Sequence, residues 1–169
     1  MAAAKYLRNN AGTITETSAN DSSAGAGDAG KIVALDASGK LDTSLMPTGI
    51  GADTAVITAS ENLAAGDLVN VHSSTGAKVR KADASTSGKT AHGFVLSAVT
   101  SGNPATVYFE GSNTQVTGLT PGVQYLSAST AGLATLTAPS GTGQVVQIVG
   151  IATDAAVLNF QSGTPIVLA

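Results

Sequence analysis

The sequence predicts an all-β protein: an extended N-terminal arm and a hairpin, followed by a compact β-barrel or jelly-roll/β-tulip-like domain. Three observations carry this. Strand-sized apolar pieces recur along the chain. Turn signals such as "SSTG", "TSG", "SGNP", "TPG", "STAG" and "PSGTG" separate them at a spacing of roughly 8–12 residues, as in sandwiches and barrels. No stretch of helix length carries a helical period.

The chain of 169 residues has room for one domain plus an appendage. Residues 1–29 read as the arm. "AAAKYLR" (Ala2 to Arg8) favours helix by composition but is too short to persist alone. The small, polar, glycine-rich "NNAGTITETSANDSSAGAGDAG" that follows buries little apolar surface and reads as extended chain in need of a partner. Lys5, Tyr6, Leu7 and Arg8 sit together in it, and Arg and Tyr are favoured interface anchors. These four are the candidate docking residues.

Residues 30–53 read as a hairpin and linker. Ile32, Val33 and Leu35 are strand-like, "DASG" (Asp36 to Gly39) suits a tight turn, and "KLDTSL", with Leu41 and Leu45, is the return strand that Pro47 ends. A lone two-stranded hairpin is marginal in water. Its apolar residues Ile32, Val33, Leu35, Leu41 and Leu45 are therefore expected to lie against another surface.

Residues 54–169 read as the β-domain. "TAVITA" opens it. "GDLVNVH" puts Val69 and Val71 on one face and Leu68, Asn70 and His72 on the other. "GAKVRKAD" sets Val79 opposite Lys78 and Arg80. "AHGFVLSAV" places Phe94 and Leu96 on one face, and "PATVYFEG" places Val107 and Phe109 opposite Tyr108 and Glu110. "GVQYLSA" and "LATLTA" are shorter. "GQVVQIVGIA" is apolar on both faces and reads as a central strand. "AAVLNFQ" aligns Ala156, Leu158 and Phe160, and "TPIVLA" is the last strand.

Composition narrows function. Charged residues are 11% and aromatics 4% of the chain, so a core poor in large rings favours subunit association. The net charge of −3, without a basic cluster, argues against nucleic-acid binding. There is no cysteine, hence no disulfide framework or thiolate metal site. No apolar run reaches the ~18–20 residues of a membrane span. "MAAAKYLRNN" lacks a signal-peptide core, so the chain is expected to be made in the cytoplasm.

Motifs for chemistry are few. "GAGDAG" (Gly25 to Gly30) fits G-x-G-x-x-G, with Asp53 further on. It lacks the preceding strand and following helix that a dinucleotide site needs. His72 and His92 are in no metal-binding frame, and no G-x-S-x-G elbow occurs. The acids Asp36, Asp42, Asp53, Asp67, Asp83 and Asp154 are scattered. "KVRKAD" (Lys78 to Asp83) reads as a solvated strand face before it reads as a contact for an acidic surface. The expectation is no enzyme, no catalytic residue, no metal and no cofactor.

Three stretches carry a resemblance. "AGKIVALDASGKLDTSLMP" resembles a segment near the start of tailed-phage virion proteins, including head fibres and tail fibres. "LAAGDLVNVHSSTGAKVRKADASTSGKTAHGFVLSAVTSGNPATVYFEG" looks like phage capsid-associated β-domains. "GLTPGVQYLSASTAGLATLTAPSGTGQVVQIVGIATDAAVLNF" looks like the terminal domain of many phage structural proteins. The resemblance covers most of residues 28–162. It implies a homotrimeric capsid decoration, or cement, protein on the outer surface of the virion head, with the major capsid protein and its own copies as partners. The alternative is a fibre or adhesin subunit contacting the host surface. A third class, a small polysaccharide-active enzyme, would need convergent acids in a cleft.

Overall fold

The computed structural model describes residues 4–47 and 51–169, which divide into two compact units, Met1–Gly51 and Ala52–Ala169. The described residues are all-β, built of several sheets, with two short 3-10 turns as the only helical pieces.

The first unit corrects two expectations. Its hairpin lies earlier than predicted: β1 (Lys5–Asn10) pairs antiparallel with β2 (Thr13–Ser18), from Lys5↔Ser18 to Asn10↔Thr13. The helical turn expected over Ala2 to Arg8 is absent among the described residues. The turn chemistry explains the outcome. Ala11 and Gly12 both take positive φ (52° and 92°), the geometry whose twist matches that of two paired strands. The Asn9 carboxamide accepts from the Gly12 N–H at 2.9 Å. The β-branched run Thr13, Ile14 and Thr15 then favours a ladder over a helix.

The predicted hairpin over residues 30–53 does not form among the described residues. Of the five residues assigned to its interface, Val33 makes one isolated parallel bridge with Asn20, and Leu45 lies in the 3-10 turn Thr43–Leu45. Ile32, Leu35 and Leu41 are in no strand. Local side-chain bonds win over a ladder here. Asp36 accepts from the backbone N–H groups of Ser38 and Lys40, which makes the predicted turn. Asp42 then accepts from Ser44 N–H and Oγ, which coils the segment meant to return.

The second unit has two main sheets. The first holds β3 (Thr54–Ala59), β4 (Leu68–Ser73), β5 (Ala77–Lys81), β6 (Gly93–Phe94) and β7 (Pro104–Tyr108). Its ladders run β3-β5-β4-β6-β7 and close where β7 pairs back onto β3, so no edge is left to template aggregation. The second holds β8 (Gly111–Asn113), β9 (Gly122–Leu126), β10 (Ala134–Thr135), β12 (Ile148–Asp154) and β13 (Val157–Phe160), in the order β10-β9-β12-β13-β8. β11 (Val145–Val146) pairs with β14 (Ile166–Val167).

Strand alternation sorts the core into two clusters. Ala59, Val69, Val79, Val95, Ala105 and Val107 fill one face of the closed sheet. The neighbours Leu68 and Phe94 point the opposite way and join Leu126, Val149, Leu158 and Phe160 against the second sheet. Phe94 stacks on Tyr108 at 5.4 Å and meets Phe160 edge-on at 5.6 Å. Burying each of these large side chains contributes about 2 kcal/mol. Gly93 has no room for a side chain: a Cβ would lie 2.5 Å from the Tyr108 carbonyl oxygen.

β12 is central, as its sequence predicts, but only one of its faces is covered. Val149 and Ala152 are buried while Ile148 and Ile151 are exposed. Ala156, expected beside Leu158 and Phe160, is exposed just before β13, where Asp154 accepts from its N–H.

Candidate functional site

The two units contrast sharply in burial. Among the described residues, the second contains every buried apolar one, and its buried amides are satisfied. Gln147, for instance, accepts from Ala91 N–H at 2.8 Å and donates to Ala91 C=O at 2.9 Å. No residue from 4 to 47 is buried. That unit instead leaves Leu7, Ile14, Ile32, Val33, Leu35, Leu41 and Met46 between 39% and 74% exposed.

The hairpin register gives β1 and β2 two distinct faces. Lys5, Leu7, Ile14 and Glu16 share one, with Lys5 paired to Glu16. Tyr6 and Arg8 share the other, where the Tyr6 hydroxyl accepts from Ile32 N–H at 3.4 Å. Of the four candidate docking residues, Leu7 is 74% exposed. Lys5 and Tyr6 already have partners within the unit. The outer edges of the two-stranded ladder carry no further strand among the described residues.

The "GAGDAG" stretch forms a single 3-10 turn, Ala26–Asp28, rather than a helix start. Asp28 holds it together, accepting from Lys31 Nζ at 2.8 Å and from Ala24 N–H at 2.7 Å. The Lys31 bond above all, with the Ala24 bond, lowers its pKa from 3.8 to about 2. Ser44, through its hydroxyl and its backbone N–H, likewise lowers the pKa of Asp42.

In the second unit the residues singled out for chemistry have structural partners. Ser60 Oγ and His72 Nε2 are 3.0 Å apart. The Ser60 hydroxyl also lies 3.1 Å from the Val79 carbonyl, so its single proton is contested by two acceptors. His92 Nδ1 accepts from Val71 N–H, and partial burial lowers the pKa of the ring. Arg80 spends its Nε on Asn70 and an amino group on the Gly88 carbonyl. Lys81 lies 3.4 Å from the buried Asp67 carboxylate. The "KVRKAD" strand therefore ties its own sheet together rather than presenting a free basic stripe.

Among the described residues, no three His, Cys, Asp or Glu side chains cluster as a metal site, and no helix is long and apolar enough to cross a membrane. Compared with protein-family models, curated proteins and solved structures, the chain matches none. The buried amides Asn113, Gln124 and Gln147 escaped sequence reasoning, because a lone Asn or Gln carries no local signal of burial.

Proposed function

We propose that the protein is a non-enzymatic capsid decoration (cement) protein that docks as a homotrimer on the outer surface of a phage head and stabilises it. Its partners are the major capsid protein and its own copies, and it takes no cofactor, nucleic acid or membrane. The observation that carries the reading is the first unit. Its described residues include seven exposed large apolar side chains and no buried residue, so it cannot supply its own burial energy and is suited to gain it on a partner surface. The hairpin's open edges offer strand addition, and Leu7 and Ile14 supply apolar contact on one face. Three such units on one trimer dock together, and simultaneous engagement raises avidity by about 10²–10⁴ where geometry permits.

The test is co-sedimentation with capsid shells stripped of the protein. Full-length protein should bind. A chain lacking residues 1–29, and the full chain carrying Leu7→Glu and Ile14→Glu, should lose at least about tenfold in affinity. Unchanged binding by both variants would refute docking through this unit. Binding to host cells but not to shells would replace it with the fibre or adhesin reading.

A further inference from the structure

A cleft of about 530 Å³ opens in the second unit where β7 and β8 meet β13. This volume lies in the range of small-molecule sites. Its apolar lining residues are Phe94, Leu96, Tyr108 and Phe160, and its polar ones Glu110, Ser112, Asn159 and Gln161. Phe94 and Phe160 are 1% and 2% exposed, so they back the cleft and leave its accessible apolar surface to Leu96 and to the half-buried Tyr108, which stacks on Phe94 at an interplanar angle of 17°. Half of the chain's six aromatic residues meet here.

The rim differs from the other polar groups of this unit. Asn70, Asn113, Gln124 and Gln147 all spend their side chains on the backbone or on neighbouring groups. The side chains of Tyr108, Glu110, Ser112, Asn159 and Gln161 make no hydrogen bond to other described residues. Five groups able to donate or accept thus line the cleft with their capacity unspent.

We propose that this cleft binds a neutral saccharide. A pyranose ring has an apolar C–H face for Tyr108 and Leu96, and a rim of hydroxyls that donate and accept at once. Amides and hydroxyls match that rim, since each can do both, while the Glu110 carboxylate accepts from a pair of ring hydroxyls. Among the described residues, no Lys, Arg or His lines the cleft, so an anionic sugar or a phosphate would meet Glu110 without a counter-charge. Only one carboxylate is present, whereas glycosidic hydrolysis uses two; the site holds sugar without cleaving it.

The experiment uses the full chain. Neutral oligosaccharides of glucose, galactose, mannose and N-acetylglucosamine, with sialylated and sulfated ones alongside, are screened by saturation-transfer NMR. The strongest is then titrated by calorimetry. At least one neutral sugar should bind below about 10 mM. Asn159→Ala and Gln161→Ala, both at exposed positions, should each weaken it about tenfold while leaving the circular dichroism spectrum unchanged. The same variants should leave capsid-shell binding intact, so failure of this site and failure of the docking reading are separable. No binding by any neutral sugar, binding of anionic sugars alone, or affinity unmoved by both variants would overturn the proposal.

Discussion

Replacing Gln147 with leucine isolates the polar bond that ties β12's approach to the loop before β6. Gln147 is 1% exposed. Its Oε1 accepts from Ala91 N–H, and its Nε2 donates to the carbonyls of Ala91 and Gly163 at 2.9 and 3.2 Å. In Gln147→Leu the Ala91 carbonyl keeps the Ser162 hydroxyl at 2.9 Å, but the Ala91 N–H, in a residue with no exposure, loses its acceptor. An orphaned buried donor costs about 1–3 kcal/mol and the lost bond to Gly163 about 1. Better apolar burial offsets about 1. The net expectation is a loss of about 2 kcal/mol, or a fall in Tm of roughly 8 °C for a unit of this size. Gln147→Glu retains the acceptor but sets a buried anion against two carbonyls, so at pH 7 it should cost more, about 3 kcal/mol or above. The gap between the two variants should narrow on acidification, as the carboxyl regains a proton to donate. Urea denaturation followed by circular dichroism measures both. A Gln147→Leu protein within about 0.5 kcal/mol of the parent, or a Gln147→Glu protein more stable than it at pH 7, would refute the reasoning.

Other outcomes follow from the same structure. Gly150→Ala should destabilise the second unit by about 3 kcal/mol or more, because φ is 136° and a Cβ would sit 2.1 Å from the Asn159 carbonyl oxygen; the same denaturation assay reads it. Leu158→Ala, at a position with no exposure, should cost about 2–5 kcal/mol. Asp28 has a folded pKa of about 2 against 3.8. Its contribution to the first unit is therefore present above pH 3.8 and lost as pH falls towards 2, which amide NMR of residues 24–31 would follow and Asp28→Asn would abolish. Backbone amides of residues 4–47, which bury nothing, should exchange with solvent faster than those of β4 and β12 in the free protein and become protected on a capsid shell.

Sequence pattern read the second unit well where alternation is strict. Leu68 against Val69 and Leu158 with Phe160 fall on the faces their spacing predicts, because period two leaves one register for a half-buried strand. It misread Ile148 and Ile151, since hydrophobicity shows that a residue can be buried and not that anything covers it. It misplaced the hairpin, because Asp36 and Asp42 draw the backbone into local turns while Ala11–Gly12 forms a turn that no Asn-Gly or Asp-Gly pair announces. The cleft was half legible. Tyr108 and Glu110 stand opposite Val107 and Phe109 by alternation alone. Asn159 and Gln161 join them in the cleft lining from β13 and the residue after it, a juxtaposition that only the fold supplies.

Several weak docking units acting together require association in solution. Light scattering of the purified full-length protein measures this directly. The proposed homotrimer should show the mass of three copies of the 16.5 kDa chain, holding on dilution through the micromolar range. A stable monomer across that range would contradict it.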